Sequence, residues 1–181
     1  MRIAYADPPY LGQARKHYAH DPRCAEVDHV ALFRQLDAYD GWALSLSSPS
    51  VFTLAPLAPA GSRLGAWVKP FASFKPGVNP AYAWEPIIYR PARSGERDRP
   101  TVRDWHSENI TLRKGLAGAK PPGFCLWLFD LLGAREGDTF DDLFPGTGGV
   151  TDAWVTRFGP MPTPGGAVGG TDTPTPEPRH A

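Results

Sequence analysis

The first apolar segment, "RIAYA" (2–6), shows almost no polar interruption, the pattern of a strand buried on both faces of a parallel sheet. In "DHVALFRQLDAY" (28–39) the apolar residues Val30, Phe33 and Leu36 return at helical spacing behind Asp28, a suitable N-cap, and predict a helix. "GWALSLS" (41–47) alternates and predicts a second strand, and "SVFTLAPLAP" (50–59) a short helix broken by proline. "RLGAWVKP" (63–70) and "AYAWEPIIYR" (81–90) predict a third and a fourth strand, with the loop "FASFKPGVNP" between them. Residues 90–115 show little periodicity and many arginines. "PPGFCLWLFDLLG" (121–133) reads as a helix that begins after prolines and stops at Gly133. "DTFDDLF" (138–144) predicts a fifth strand and "GGVTDAWVTRFG" (148–159) a helix closed by Gly159. From 160 to 181 there is no apolar period, and this stretch predicts a disordered tail rich in Pro, Thr and Gly.

Strands alternating with helices predict an α/β fold, a mostly parallel sheet of about five strands with helices on both faces. The expected organisation is one domain over 1–159, with 90–115 as the only stretch for a small recognition segment, followed by the tail. Sheets of this kind take ligands at the carboxyl ends of their strands. Two unusual turns fall at such ends: "DPPY" after the first strand and "FPGTGG" after the fifth.

Composition narrows the picture. The 181 residues suffice for one domain with a real core, and 41% are hydrophobic. Nineteen Lys and Arg balance nineteen Asp and Glu, so affinity for a polyanion has to come from local clustering. The two cysteines, Cys24 and Cys125, have no CxxC partner or neighbouring His/Cys set, which predicts neither zinc nor a disulfide framework. Cys125 sits in an apolar helical run and reads as a packed small hydrophobe. With no signal-peptide pattern and no apolar run of membrane length, the expected location is the cytoplasm, with no membrane partner.

The glycine-rich turn has two readings. Gly146, Gly148 and Gly149 carry no Cβ, so backbone N–H groups can approach a ligand closely; the same residues also suit a tight strand–helix connection. No Lys-Ser/Thr pair follows, so it is not a phosphate loop. "DPPY" is an acid in a proline turn, or something more specific. Pro8 and Pro9 stiffen the backbone so that Asp7 and the Pro8 carbonyl stand side by side as rigid acceptors. Two acceptors match the two N–H donors of an exocyclic amine, and Tyr10 offers a flat face for a base.

With these residues the chain resembles the amino-methyltransferases that use S-adenosylmethionine (SAM) to methylate the exocyclic amine of adenine or cytosine in DNA. "DPPY" (Asp7, Pro8, Pro9, Tyr10) matches their catalytic motif in its N6-adenine form, and "DLFPGTG" (142–148) matches their SAM motif. "AKPPGFCLWLFDLLGAREGDT" is similar to the stretch before the SAM motif in the permuted, beta-type branch, which also places the catalytic motif first. "AWEPIIYRP" (83–91) resembles a late strand of that branch. The resemblance covers residues 3 to about 159 and implies a Rossmann-like three-layer sandwich, circularly permuted, in a compact phage- or actinobacterial-like form. It places the two motif strands side by side in the middle of the sheet, with their turns in one cleft. For SAM it points to Asp142, Phe144, Gly146, Thr147 and Gly148, and to Lys120 and Pro121 at the methionine end. The expected partner is DNA with its target base flipped out. Arg90, Arg93, Arg97, Arg99 and Arg103 are candidates for phosphate contact, although Glu96, Asp98 and Asp104 dilute them and a solvated loop explains them equally. Lys69 and Lys75, beyond a strand's carboxyl end, are further candidates.

The chain departs from the family after the SAM motif. Members continue into a strand whose terminal acid holds the ribose of SAM; here "RFGP" leads into the tail, leaving Asp152 or a partner to substitute. The glycine-motif strand is then an exposed edge, which the tail, a homodimer mate or a companion subunit is expected to cover, the other expectation being weak SAM binding. Competing functions are a catalytically weak or silent domain of this fold that binds nucleic acid or a partner, and the same chemistry on cytosine N4 or RNA adenine.

Overall fold

A computed structural model describes residues 1–12, 26–71, 77–93, 100–110 and 119–160. Strand β1 (Arg2–Ala6) lies between β2 (Gly41–Ser45) and β6 (Thr139–Asp142), parallel to both. β4 (Trp84–Arg90) runs antiparallel to β2 and to β3 (Arg63–Val68), and β5 (Trp105–Ser107) is parallel to β3. The order is β5-β3-β4-β2-β1-β6, so β4 alone opposes the rest. The α/β class and mostly parallel sheet are as the pattern predicts. The sixth strand is β5, which lies in the arginine-rich stretch and is too short for any period to show. The strands of the two motifs are neighbours, but β6 lies at the edge of the described sheet and not in its middle.

β2 is buried at every position, because β1 and β4 flank it and helices cover both faces. Its alternation instead sorts residues between two cores: Trp42 and Leu44 to one side, Ala43 to the other. Gly41 opens this strand where the chain following β4 crosses it. A Cβ there would lie 2.4 Å from the Ala92 backbone nitrogen, a contact no side-chain rotation relieves. Gly41→Ala is expected to cost roughly 1–3 kcal/mol, read as a lower denaturant midpoint at unchanged slope.

On the first side, helix α1 (His29–Asp37) is capped by Asp28, whose Oδ1 accepts from the Ala31 N–H at 3.0 Å. Its buried face is His29, Leu32, Phe33 and Leu36, one step round from the predicted stripe, and Val30 is exposed. Four residues at i, i+3, i+4 and i+7 fit the sheet better than Val30 does. Only Val51–Leu54 of the predicted 50–59 helix is α-helical (α2), flanked by single 3₁₀ turns at Ser48–Ser50 and Ala55–Leu57.

On the other side lie α3 (Pro122–Leu132) and α4 (Gly149–Phe158). Phe129 of α3 stands edge-on to Phe140, Trp154 and Phe158, tying both helices to β6. Pro121 has no side chain able to cap α3, so Glu108 does it from β5's end, its Oε2 accepting from the Phe124 N–H at 2.7 Å. Gly133 stops the helix in the left-handed region, φ 70°. These caps aim the start of α3 at the carboxyl edge of the sheet.

Candidate active site

The parallel pairing of β1 with β6 sets Tyr5 opposite Asp142, so the two turns leave the sheet at the same level. The Leu143 N–H donates to the Tyr5 carbonyl at 2.9 Å and continues the ladder into the turns. In the first turn Pro8 is buried, while Asp7, Pro9 and Tyr10 are half-buried. Beneath it the Tyr5 hydroxyl and Ser45 Oγ share a hydrogen bond of 2.8 Å. In the second turn Gly146 and Gly148 take φ of 50° and 80°, a left-handed backbone that favours glycine. Pro145, Gly146 and Thr147 are exposed, and Phe144 is half-buried against the α1-side core. Asp142 is held from both sides, its Oδ1 accepting from the Phe144 N–H and its Oδ2 from Thr151 Oγ1, each at 3.3 Å. Burial raises its pKa, opposed by those two donors.

Beside the first turn four charges alternate. Lys120 Nζ lies 3.1 Å from Asp7 Oδ2 and 2.5 Å from Glu85 Oε1, and Lys69 Nζ lies 2.8 Å from Glu85 Oε2. The chain runs over an aromatic floor: Lys69 Nζ is 4.3 Å and Lys120 Nζ 5.5 Å from the Trp67 ring centre. Glu85 is 4% exposed. Burial alone would raise its pKa, but the Lys120 and Lys69 ammoniums overcome this and hold it at about 2. Lys120 is pushed well above the ordinary range, because Asp7 and Glu85 outweigh the burial that would lower it. Asp7 moves the other way. Burial raises its pKa further than Lys120 lowers it, and the Glu85 and Asp142 carboxylates add to the rise. The short Glu85 contact explains the difference, since Lys120 divides its charge between two acids. Burial likewise raises the Tyr10 phenol, against the pull of Lys120.

No family model matches the chain, and none of the curated proteins does. Among solved structures it is similar to the crystal structure of the M1.HpyAVI–SAM complex, with a TM-score of 0.54 at 14% identity over 86% of this chain and 78% of that one. The fold is a Rossmann-like methyltransferase fold. At that identity the likeness is one of architecture, and the side chains have to carry the chemistry.

Placed on this methyltransferase fold, the residues singled out by sequence divide into two groups. Asp7, Pro8, Pro9, Tyr10, Lys69, Lys120 and Pro121 gather at one end of the sheet, with Asp142 and the glycine turn beside them. Lys69 is internal to the charge chain, donating to Glu85 instead of standing open to solvent. Arg90 and Arg93 belong to the opposite end. Since β4 runs against its neighbours, the residues after it emerge away from Asp7. Arg90 donates to Asp37 Oδ1 at 2.5 Å and to the Tyr39 carbonyl at 2.7 Å, fastening the end of α1. Arg93 grips Asp138 with contacts of 2.6 and 2.8 Å and donates to the Gly133 carbonyl. Both arginines therefore staple the amino end of the sheet, away from Asp7. Arg103 lies with its guanidinium 5.4 Å over the Trp105 ring. Lys75, Arg97 and Arg99 lie outside the described residues, as does the tail from 161. Asp152 is exposed in the first turn of α4.

Sequence reasoning missed the roles of Glu85, Thr151 and Glu108. Glu85 left a visible signal, an acid inside the apolar strand "WEPIIY"; the other two left none. Among the described residues there is no group of three His, Cys, Asp or Glu placed to hold a metal, and no helix long and apolar enough to cross a membrane.

Proposed function

We propose that the protein transfers a methyl group from SAM to the N6 amine of adenine in DNA. The observation that supports this best is Asp7 on its proline-stiffened turn, beside a glycine turn on the neighbouring strand. The open glycine turn, with two left-handed glycines below a carboxylate, suits a nucleoside-bearing cofactor. Asp142, Phe144, Gly146, Thr147 and Gly148 would hold it there, with Lys120 and Pro121 at the methionine end. SAM supplies an electrophilic methyl group on a sulfonium. The protein's task is to make a poor nucleophile attack it.

An adenine amine is weakly nucleophilic because its lone pair is delocalised into the ring. Asp7 Oδ2 is engaged by Lys120, which leaves Oδ1 and the Pro8 carbonyl to accept the two amine hydrogens. Accepting both draws the nitrogen towards tetrahedral geometry and frees its lone pair, so that the N–CH3 bond would form as the S–CH3 bond breaks to a neutral thioether. The surplus amine proton would pass to the Asp7 carboxylate and on to solvent. Positioning and fixed charge carry most of the rate, with no covalent enzyme intermediate. Tyr10 serves as the face on which the extruded base stacks.

The activity is tested by incubating the protein with methyl-labelled SAM and unmethylated DNA, then digesting to nucleosides. Label in N6-methyladenine supports the proposal; label in N4-methylcytosine, or none, contradicts it. The pH dependence follows from the raised Asp7 pKa. As an acceptor Asp7 must be ionised, so activity falls as pH drops through its pKa, which burial raises from the ordinary aspartate value. Removing the ammonium that favours the carboxylate raises that pKa again. Lys120→Met is therefore expected to move the acid limb of kcat/KM for DNA, at saturating SAM, to still higher pH.

A further inference from the structure

Two large aromatic residues stand open on the face of the sheet turned away from α3. Trp84 is 41% and Trp105 45% exposed. Val68 pairs with both Trp84 and Ser107, and Ala66 with Trp105, so all share one face. Their neighbours Trp67, Glu85 and His106 point the other way, towards the site and α3. Two strand spacings and two residues along the strand separate the tryptophans, roughly 12 Å. Leu64, 47% exposed, extends the patch, and the Arg103 guanidinium lies over Trp105. Trp84 adjoins Glu85 in sequence, so the patch begins at the edge of the sheet that carries Asp7.

We propose that this face is a stacking platform for single-stranded DNA, on which bases next to the target adenine lie against Trp84 and Trp105. The proposal rests on the reading of Asp7 as the site that receives the adenine. A sheet face with aromatics on different strands offers a π-surface to each base without regard to sequence, and an arginine among them adds charge for the backbone. An unpaired strand also spares the cost of extruding the base from a duplex. A second copy packed on the same face would have to bury the Arg103 charge, which disfavours that occupant.

The test measures fluorescence anisotropy of a labelled oligodeoxynucleotide without SAM, as single strand and as duplex. The single strand is expected to bind more tightly than the duplex. Trp84→Ala and Trp105→Ala should each weaken it roughly 5- to 100-fold, while Trp105→Phe, which keeps a ring, retains most of the affinity. SAM binding by calorimetry should be unchanged in all three and shows that they are folded. Equal binding by the alanine variants, preference for the duplex, or an effect confined to a single-stranded RNA of the same sequence would overturn the proposal. So would loss of self-association in sedimentation with oligonucleotide binding intact. Ring-dependent binding by a protein that transfers no methyl group would sink the functional reading and leave the platform standing; transfer to duplex without the tryptophans would do the reverse.

Discussion

Asp7→Ala is expected to lower methyl transfer on the order of 10³-fold while SAM binding stays nearly unchanged. In the proposed mechanism Asp7 accepts from the amine; it does not anchor the glycine turn, which is built on Asp142 and its contacts with Phe144 and Thr151. The variant should also fold, because Lys120 keeps its shorter contact with Glu85. Asp7→Asn is the sharper variant. Its amide keeps the shape and one acceptor oxygen for the amine but loses the ion pair with Lys120, so it should retain part of the transfer that alanine loses. Single-turnover transfer and calorimetry with SAM, run on the same samples, check both parts. Full transfer by the alanine variant would remove Asp7 from the mechanism.

Glu85→Ala is expected to destabilise the protein by about 3–5 kcal/mol, because it leaves the Lys120 and Lys69 ammoniums beside a buried space with no acid between them. Denaturant unfolding near neutral pH measures it. The pH dependence of stability follows from the same pair of contacts. Glu85 is depressed from 4.5 to about 2 on folding, so its stabilisation is fully present above pH 4.5 and is lost as pH falls towards 2. The Ala variant should show a shallower loss across that window than the parent. Glu85→Gln separates stability from chemistry. It preserves shape but removes the carboxylate that raises Asp7 and competes for Lys120. The acid limb of kcat/KM should move to lower pH, opposite to Lys120→Met. Two substitutions on the two sides of one ammonium, shifting the profile in opposite directions, are hard to explain by general loosening of the fold.

The order of strands and helices was legible because the apolar periods are clean, and Gly133 and Gly159 end their helices where the pattern stops. β5 was not legible, because three residues cannot display an alternation. The buried face of α1 was misjudged by one step, since Val30 has helical spacing to Phe33 but points off the sheet. The larger loss concerned which end of the sheet each charge occupies. Periodicity does not reveal strand direction, and with β4 reversed Arg90 and Arg93 fall at the end of the sheet away from Asp7 while Glu85, at the start of the same strand, lies beside it. Partnerships between distant residues were invisible for a related reason. Lys69 with Glu85 and Glu108 with Phe124 meet only through the pairing of β3 with β4 and β5. The adjacency of the two motif turns came from resemblance to a family, and the β1–β6 pairing gives it a physical cause.

The central claim is that the Asp7 turn and the glycine turn form one cleft around a methyl donor. A crystal structure of the protein with SAM tests it most directly. The account predicts the nucleoside against Asp142 and the 144–148 turn, the methionine end towards Lys120 and Pro121, and the sulfonium methyl facing Asp7 and Tyr10. SAM bound elsewhere on the sheet, or a cleft that stays empty at millimolar SAM, would contradict it.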